Sequence, residues 1–176
     1  MAADFVRIIL QRAEKAGKEV CEKAKEIIEE GMSRGSLTLK GFEKEVEVDG
    51  RKHVVKLIDG SAEFDVGRGG RKLLRIKITA EVDGVRREYV TTYGRYGSNN
   101  AAKGFAYARC DAPEVRKADA KRFSALVEAL TGKKPRIRRR SDGTIKLECY
   151  GGHPEGFARY AELADAIKRW LEETGQ

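Results

Sequence analysis

The sequence predicts an α+β fold: a curved antiparallel sheet of three hairpins, helices packed on one face of it, and a long N-terminal helix. Three observations carry this. Apolar residues recur at helical spacing in residues 3–30, 111–131 and 155–173. Runs that alternate apolar and polar residues fill most of the chain between them. Three Asp-Gly pairs, Asp49-Gly50, Asp83-Gly84 and Asp142-Gly143, sit between such runs, where a tight turn with positive φ joins neighbouring strands. Helices and antiparallel strands in separate stretches, rather than in strict alternation, point to α+β.

The elements follow in order. Residues 1–33 form an N-terminal helical segment, with Phe5, Val6, Ile9, Leu10, Ala13, Val20, Ala24 and Ile27 on its apolar face and Gly31 at its end. Residues 34–176 form the α+β domain, and the chain is a single domain overall. EKEVEVDGRKHVVKLI is the first hairpin, with a short strand near SAEFDV after it. LLRIKITAEVDGVRREYVTTY is the second. Residues 94–104, GRYGSNNAAKG, show no periodicity and read as a mobile loop. FAYARC (105–110) returns as a strand. A helix then starts at Asp111, whose carboxylate suits an N-cap, with Pro113 in the first turn and Gly132 as C-cap. Val115, Ala118, Phe123, Leu126, Val127 and Leu130 make its apolar stripe. The third hairpin, KPRIRRRSDGTIKLE, precedes a closing helix over 155–173.

Composition excludes several classes. A chain of 176 residues buries roughly 70% of its unfolded surface without staples. No apolar run approaches the roughly 20 residues of a membrane span. MAADFVRIILQRAEK has no basic stretch before its apolar residues and no small-residue cleavage site, so it does not read as a signal peptide. A cytoplasmic, membrane-free protein is the expectation. Cys21, Cys110 and Cys149 are odd in number, far apart and outside any C-x-x-C pair; buried free thiols fit better than disulfides or zinc. Charge-rich, amide-poor composition is what hot-adapted proteins show.

The net charge of +8 is unevenly spread. Residues 67–109 carry ten basic and three acidic side chains, and residues 133–150 carry seven and two. The rest is mildly acidic. Segregated positive charge is the footprint of a polyanionic partner. Period-two alternation puts Ile137, Ile145, Leu147 and Cys149 on the covered side of the third hairpin and Arg136, Arg138, Arg140, Thr144, Lys146 and Glu148 on the other. In the second hairpin Leu74, Ile76, Ile78, Ala80, Tyr89 and Tyr93 face inward. Arg75, Lys77 and Thr79 face outward with Arg86, Glu88, Val90 and Thr92. Arg68 and Arg71 in RGGRK, and Arg95 and Lys103 in the 94–104 loop, add cations on flexible segments. Tyr93, Tyr96, Phe105 and Tyr107 are interleaved with them and offer faces on which unpaired bases stack.

These residues predict a non-catalytic nucleic-acid-binding protein that lays a basic sheet face and flexible basic loops on a phosphate backbone, DNA or RNA. No cofactor is expected, since Gly67, Gly69 and Gly70 have neither dinucleotide nor Walker spacing and precede a strand. No nucleophile–base grouping can be read around His53 or His153. Two alternatives remain. Asp59, Glu63 and Asp65 in LIDGSAEFD hold magnesium if the protein is a nuclease. A ribosome-associated or protein-interaction module would instead form a homo-oligomer through the N-terminal helix.

Two likenesses attach to these residues. The stretch from GSAEFDVG through LLRIKITAEVDGVRREYV and ALVEALTGKKP to CYGGHPEGFARYAELADAIKRWLEE, residues 60–173, resembles the PaRep-type paralogous repeat family of hyperthermophilic archaea, a family that implies little about function. The order helix, strands, helix, KPRIRRRSDGTIKLE, helix more loosely resembles half of a LAGLIDADG homing endonuclease. That likeness implies a saddle-shaped sheet on DNA with helices behind it. Its acidic metal ligand ends a helix, whereas HVVKLIDG here reads as a strand, and Asp59 is the one position that corresponds.

Overall fold

The computed structural model describes Ile27, residues 37–108 and residues 112–175. Apart from Ile27, the N-terminal helix expected over residues 1–33 lies outside them, as do Cys21, Cys110 and the capping Asp111.

The expected fold needs correction: the curved sheet is not built of three hairpins but is a seven-stranded half-barrel, a five-stranded meander with one hairpin added at its edge, and the α-helices within residues 37–175 all follow its fifth strand. Its strands are β1 (Glu43–Val48), β2 (Arg51–Val66), β3 (Lys72–Val82), β4 (Val85–Tyr96), β5 (Ala101–Ala108), β6 (Arg136–Arg139) and β7 (Ile145–Tyr150). They stand in the order β1-β2-β3-β4-β5-β7-β6, and every pair is antiparallel. Five strands run as a meander. The chain then leaves along α1 (Pro113–Thr131), returns as the β6–β7 hairpin at the far edge, and ends in α2 (His153–Phe157) and α3 (Ala161–Thr174).

Two of the Asp-Gly turns have positive φ at both residues, 51° and 75° at Asp49-Gly50 and 52° and 79° at Asp83-Gly84, the type I′ geometry that matches strand twist. Residues 94–104 are not a loop. β4 continues to Tyr96, four residues (97–100) make a turn closed by Asn100 N–H on Gly97 O at 3.2 Å, and β5 begins at Ala101. Small residues supply the alternation there, so apolar contrast is absent from the sequence. The expected separate strand at SAEFDV is the second half of β2, which passes through a bulge between Leu57 and Asp59. The single closing helix is two, because Tyr160 takes an extended conformation (ψ 129°) to bridge Leu37.

Helix α1 touches β1, β2 and β3 near one edge and β5 and β7 near the other. One helix reaches both only where the sheet curls around it, so the seven strands form a half-barrel with α1 in its concavity. Phe123, Leu126, Val127 and Leu130 are buried there, while Val115, expected in the stripe, is exposed in the first turn. Gly132 ends the helix at φ 72°, its N–H on Glu128 O. Helix α3 covers β2 and β3 and inserts Trp170, whose indole N–H donates to Lys72 O at 3.2 Å. Trp170 meets Tyr93 edge-on at 6.3 Å, and Tyr93 spreads over Gly104, where a Cβ would lie 2.6 Å from the ring. Glycine is required at that position: the ring occupies the place of its side chain. Burying side chains such as Leu126, Phe157 and Leu163 contributes roughly 1.5–3 kcal/mol each, and this concave layer is where the fold's stability resides.

Candidate nucleic-acid interface

The opposite, convex face is open. Strand register places Arg75, Lys77 and Thr79 of β3 on it, beside Thr92, Val90 and Glu88 of β4. Lys103, Phe105 and Tyr107 of β5 follow, then Tyr150, Glu148 and Lys146 of β7, then Arg136 and Arg138 of β6. Arg140 lies one residue beyond β6 on the same side of the alternation.

This face is not uniformly basic. The bulge in β2 shifts its alternation by one residue, so that Asp59, Ser61, Glu63 and Asp65 stand beside the outward residues of β3. Glu63 lies 2.9 Å from Lys77 and 3.9 Å from Arg75, and Asp65 is hydrogen-bonded to Arg75. Opposite charge in contact cancels the field of the pair at a distance. Arg75 and Lys77 therefore contribute little net potential, and two of the three acids, Glu63 and Asp65, hold cationic side chains. Asp59 accepts the Gly60 N–H at 2.8 Å. Among the described residues no three His, Cys, Asp or Glu side chains converge as a metal site would require. Arg86 is exposed opposite Glu81.

Positive charge instead gathers at the β5–β7–β6 end. Lys103, Arg136, Arg138, Arg140 and Lys146 share this end with one carboxylate, Glu148, which lies 3.1 Å from Arg138 Nε and 3.2 Å from Lys146 Nζ and whose side chain is 12% exposed. β6 is also the rim of the sheet. A short, charged strand is how proteins protect an open edge from pairing with another chain. The hairpin turn there differs from the expected two-residue type. Arg140 N–H donates to Thr144 O and Gly143 N–H to Arg140 O, with Gly143 at φ 79°; this is a three-residue loop over Ser141, Asp142 and Gly143. The Thr144 hydroxyl and N–H bonded to Asp142 hold its carboxyl below the usual range, and Arg116 of α1 donates to Gly143 O.

Aromatic rings run through this basic end. Tyr96 and Phe105 meet edge-on at 5.2 Å. Tyr107 and Tyr150 are 36% and 40% exposed. Each of three rings has a cation on its face: Arg71 at 5.0 Å from Tyr96, Lys146 Nζ at 3.7 Å from Phe105 and Arg140 at 5.7 Å from Tyr107. Tyr96 lies back over Gly94, where a Cβ would sit 2.8 Å from the ring, so glycine makes its seat. Tyr93, expected among the stacking candidates, belongs to the core.

Two of the flexible cations are fixed. Arg71 closes a compact turn through its carbonyl, which accepts from Gly67 N–H at 2.9 Å, while Arg68 stays exposed on the 3-10 turn Arg68–Gly70. Arg95 points to the covered side. Its Nε donates to Thr174 Oγ1 at 3.1 Å, other nitrogens reach Asn100 O and Leu171 O, and its guanidinium stacks on Trp170 at 5.2 Å. Arg95 anchors the end of α3 and does not belong to the interface. The histidines are likewise structural. His53 Nδ1 lies 2.6 Å from Asp83 Oδ2, tying down the second hairpin turn, and His153 bridges Tyr150 O and Lys133 O.

A feature without a signal in the sequence lies between β4 and β5. Their pairing covers Thr92 to Tyr96 against Ala101 to Phe105 and extends no further. Beyond Thr92, β4 stays with β3 while β5 follows β7, and the sheet splits. The slot holds about 640 Å³; Tyr96, Phe105 and Tyr107 form its walls, Arg75 and Lys77 its rim, and Arg87, Tyr89, Asp119 and Phe123 its floor. Residues of α1 are visible through it from the convex side. A shallower recess of about 330 Å³ adjoins, between Lys103, Phe105, Arg136, Arg138, Glu148 and Tyr150.

Comparison with protein-family models, with curated proteins and with solved structures finds no match to this chain.

Proposed function

We propose that the protein binds single-stranded nucleic acid, without cleaving it, on the convex face at the β4–β5–β7–β6 end. The observation that carries this reading is the pairing of solvent-facing aromatic rings with cations on one sheet surface: Tyr96, Phe105, Tyr107 and Tyr150 among Arg71, Lys103, Arg136, Arg138, Arg140 and Lys146. Exposed rings cost hydration free energy, and clustered cations repel one another. A single strand relieves both at once, because its bases stack on the rings while its phosphates sit between the cations. Duplex DNA offers the phosphates but hides its base faces.

The test is competition among single-stranded DNA, duplex DNA and structured RNA at fixed salt, with the wild type and Tyr107→Ala. Stacking contributes roughly 1–3 kcal/mol per base, so the variant should lose fivefold to a hundredfold in single-strand affinity with little change toward duplex. Equal preference for duplex, or an unchanged single-strand affinity, would refute the reading.

A further inference from the structure

The recess between β5, β7 and β6 lies where the convex face ends. Lys103, Phe105, Arg136, Arg138, Glu148 and Tyr150 line its volume of about 330 Å³, at the lower end of the size of small-ligand sites. Register sets Phe105, Glu148 and Arg136 side by side across three strands, with Lys103 next to Tyr150 in the adjoining row. Tyr150 is the last residue of β7, and Gly151 at φ 69° then turns the chain toward α2. His153 Nδ1, 2.6 Å from Tyr150 O, holds the backbone at that corner. Two features separate this recess from the rest of the basic end. Its charge is uncompensated: three cations line it against one carboxylate. Glu148 is engaged by Arg138 and Lys146, and among the described residues Lys103 and Arg136 pair with no carboxylate. The second feature is an open ring. Tyr96, Phe105 and Tyr107 each carry a cation on one face, whereas the Tyr150 ring, 40% exposed, carries none among the described residues.

We infer that this recess holds the terminal phosphate of a single strand, with the end base stacked on Tyr150. The site rests on the proposed single-strand binding and adds to it a preference for a phosphorylated end. A phosphodiester within a strand carries one negative charge and two unbridged oxygens. A terminal monoester carries between about −1.5 and −2 at neutral pH and three acceptor oxygens, one for each of Lys103, Arg136 and Arg138. The lysine meets it as a point charge and the two guanidinium groups as forks. The recess is also where a strand lying across the convex face runs out of sheet. An open ring beside the cations accepts the face of an end base, which a phosphoserine side chain does not possess.

The experiment is fluorescence anisotropy competition with the full chain. Ten-residue oligothymidines bearing a 5′-phosphate, a 3′-phosphate or hydroxyls at both ends displace a common labelled strand, and a phosphoserine peptide is run alongside. An end phosphate should raise affinity by roughly tenfold or more through charge-assisted hydrogen bonds, and the end that does so gives the polarity of the strand on the sheet. Lys103→Ala and Arg136→Ala, neither of them at a buried position, should each cut the ratio of phosphorylated to hydroxyl-ended affinity by roughly threefold or more. Arg140→Ala, at the turn outside the recess, should weaken both kinds of strand alike and keep the ratio. Thermal melts are recorded for each variant, and should Lys103→Ala fail to fold, Arg136→Ala carries the test. Equal affinity of phosphorylated and hydroxyl ends, a ratio that survives both substitutions, or a phosphoserine peptide that competes as well as the phosphorylated strand overturns the inference. In each of these cases binding of the hydroxyl-ended strand leaves the single-strand reading in place. A protein that binds none of the oligothymidines instead defeats the single-strand reading itself.

Discussion

Replacing Glu148 by Gln should make the protein less stable and a better ligand for nucleic acid at the same time. Its carboxylate is 12% exposed and holds two cations of the basic end, Arg138 at 3.1 Å and Lys146 at 3.2 Å. Removing the charge leaves those cations beside a neutral amide, which costs roughly 1–2 kcal/mol of folding stability through lost charge-assisted hydrogen bonds. The same change frees one or two cations for phosphate. Each added phosphate contact on a single strand steepens the slope of log K against log salt by roughly 0.7. Across a fourfold rise in salt, the affinity should then drop by an additional factor of roughly 2.6 per contact, or about 7 for two. Fluorescence anisotropy of a labelled oligonucleotide between 50 and 200 mM salt (concentrations at which such slopes are ordinarily read) measures this, and urea unfolding measures the stability. A slope unchanged or shallower in the variant would show that Arg138 and Lys146 do not face phosphate, and the interface would have to lie elsewhere.

The companion substitution Arg136→Ala/Arg138→Ala/Arg140→Ala should flatten the same slope by roughly 2 units, one contact per arginine, and weaken binding at every salt concentration; an unaltered slope removes β6 from the site. Gly104→Ala should destabilise by roughly 2–4 kcal/mol in urea, since a Cβ lies 2.6 Å from the Tyr93 ring and the fully buried ring has nowhere to move; a loss below roughly 1 kcal/mol would mean that the concave layer is looser than described. Alkaline pH should unfold the protein early. Burial pushes the Cys149 thiol up to about 12, against roughly 8.5 in an unfolded chain. The folded state thus binds the proton more tightly, and its advantage, complete below that lower value, is lost at about 1.4 kcal/mol per pH unit as pH rises toward 12. Cys149→Ala should reduce the slope of stability against pH above roughly pH 9 by that amount; an identical slope in the variant contradicts the assignment.

Much of the fold is written locally. The Asp-Gly turns at 49–50 and 83–84, the inward set Leu74, Ile76, Ile78 and Ala80, and the outward set Arg136, Arg138 and Lys146 are all consequences of alternation around a turn, and alternation is visible in one dimension. What escaped were features set by register between strands distant in sequence. The bulge after Leu57 reverses the facing of Glu63 and Asp65, and only that reversal sets them against Arg75 and Lys77. Arg95 looked like a loop cation because GRYGSNNAAKG lacks apolar contrast, yet it is aimed at Trp170 by two strands whose inward positions there are Gly104 and Ala102. The slot is a place where pairing stops. No residue type marks such a divergence, although the aromatic residues in its walls, Tyr96, Phe105 and Tyr107, had been noticeable for their basic neighbours.

β6 is four residues long, paired on one side, and none of its side chains is buried. The arginine-rich rim is consequently the part of the sheet whose opening sacrifices least, and it can fray while α1 remains clasped by the other strands. A polyanion that grips this rim must first hold it still, so part of the binding free energy is absorbed in ordering. Amide hydrogen exchange at Arg138 and Arg140, whose N–H groups face β7, should therefore slow on binding more than anywhere in β3, whose amides are already locked between two neighbours.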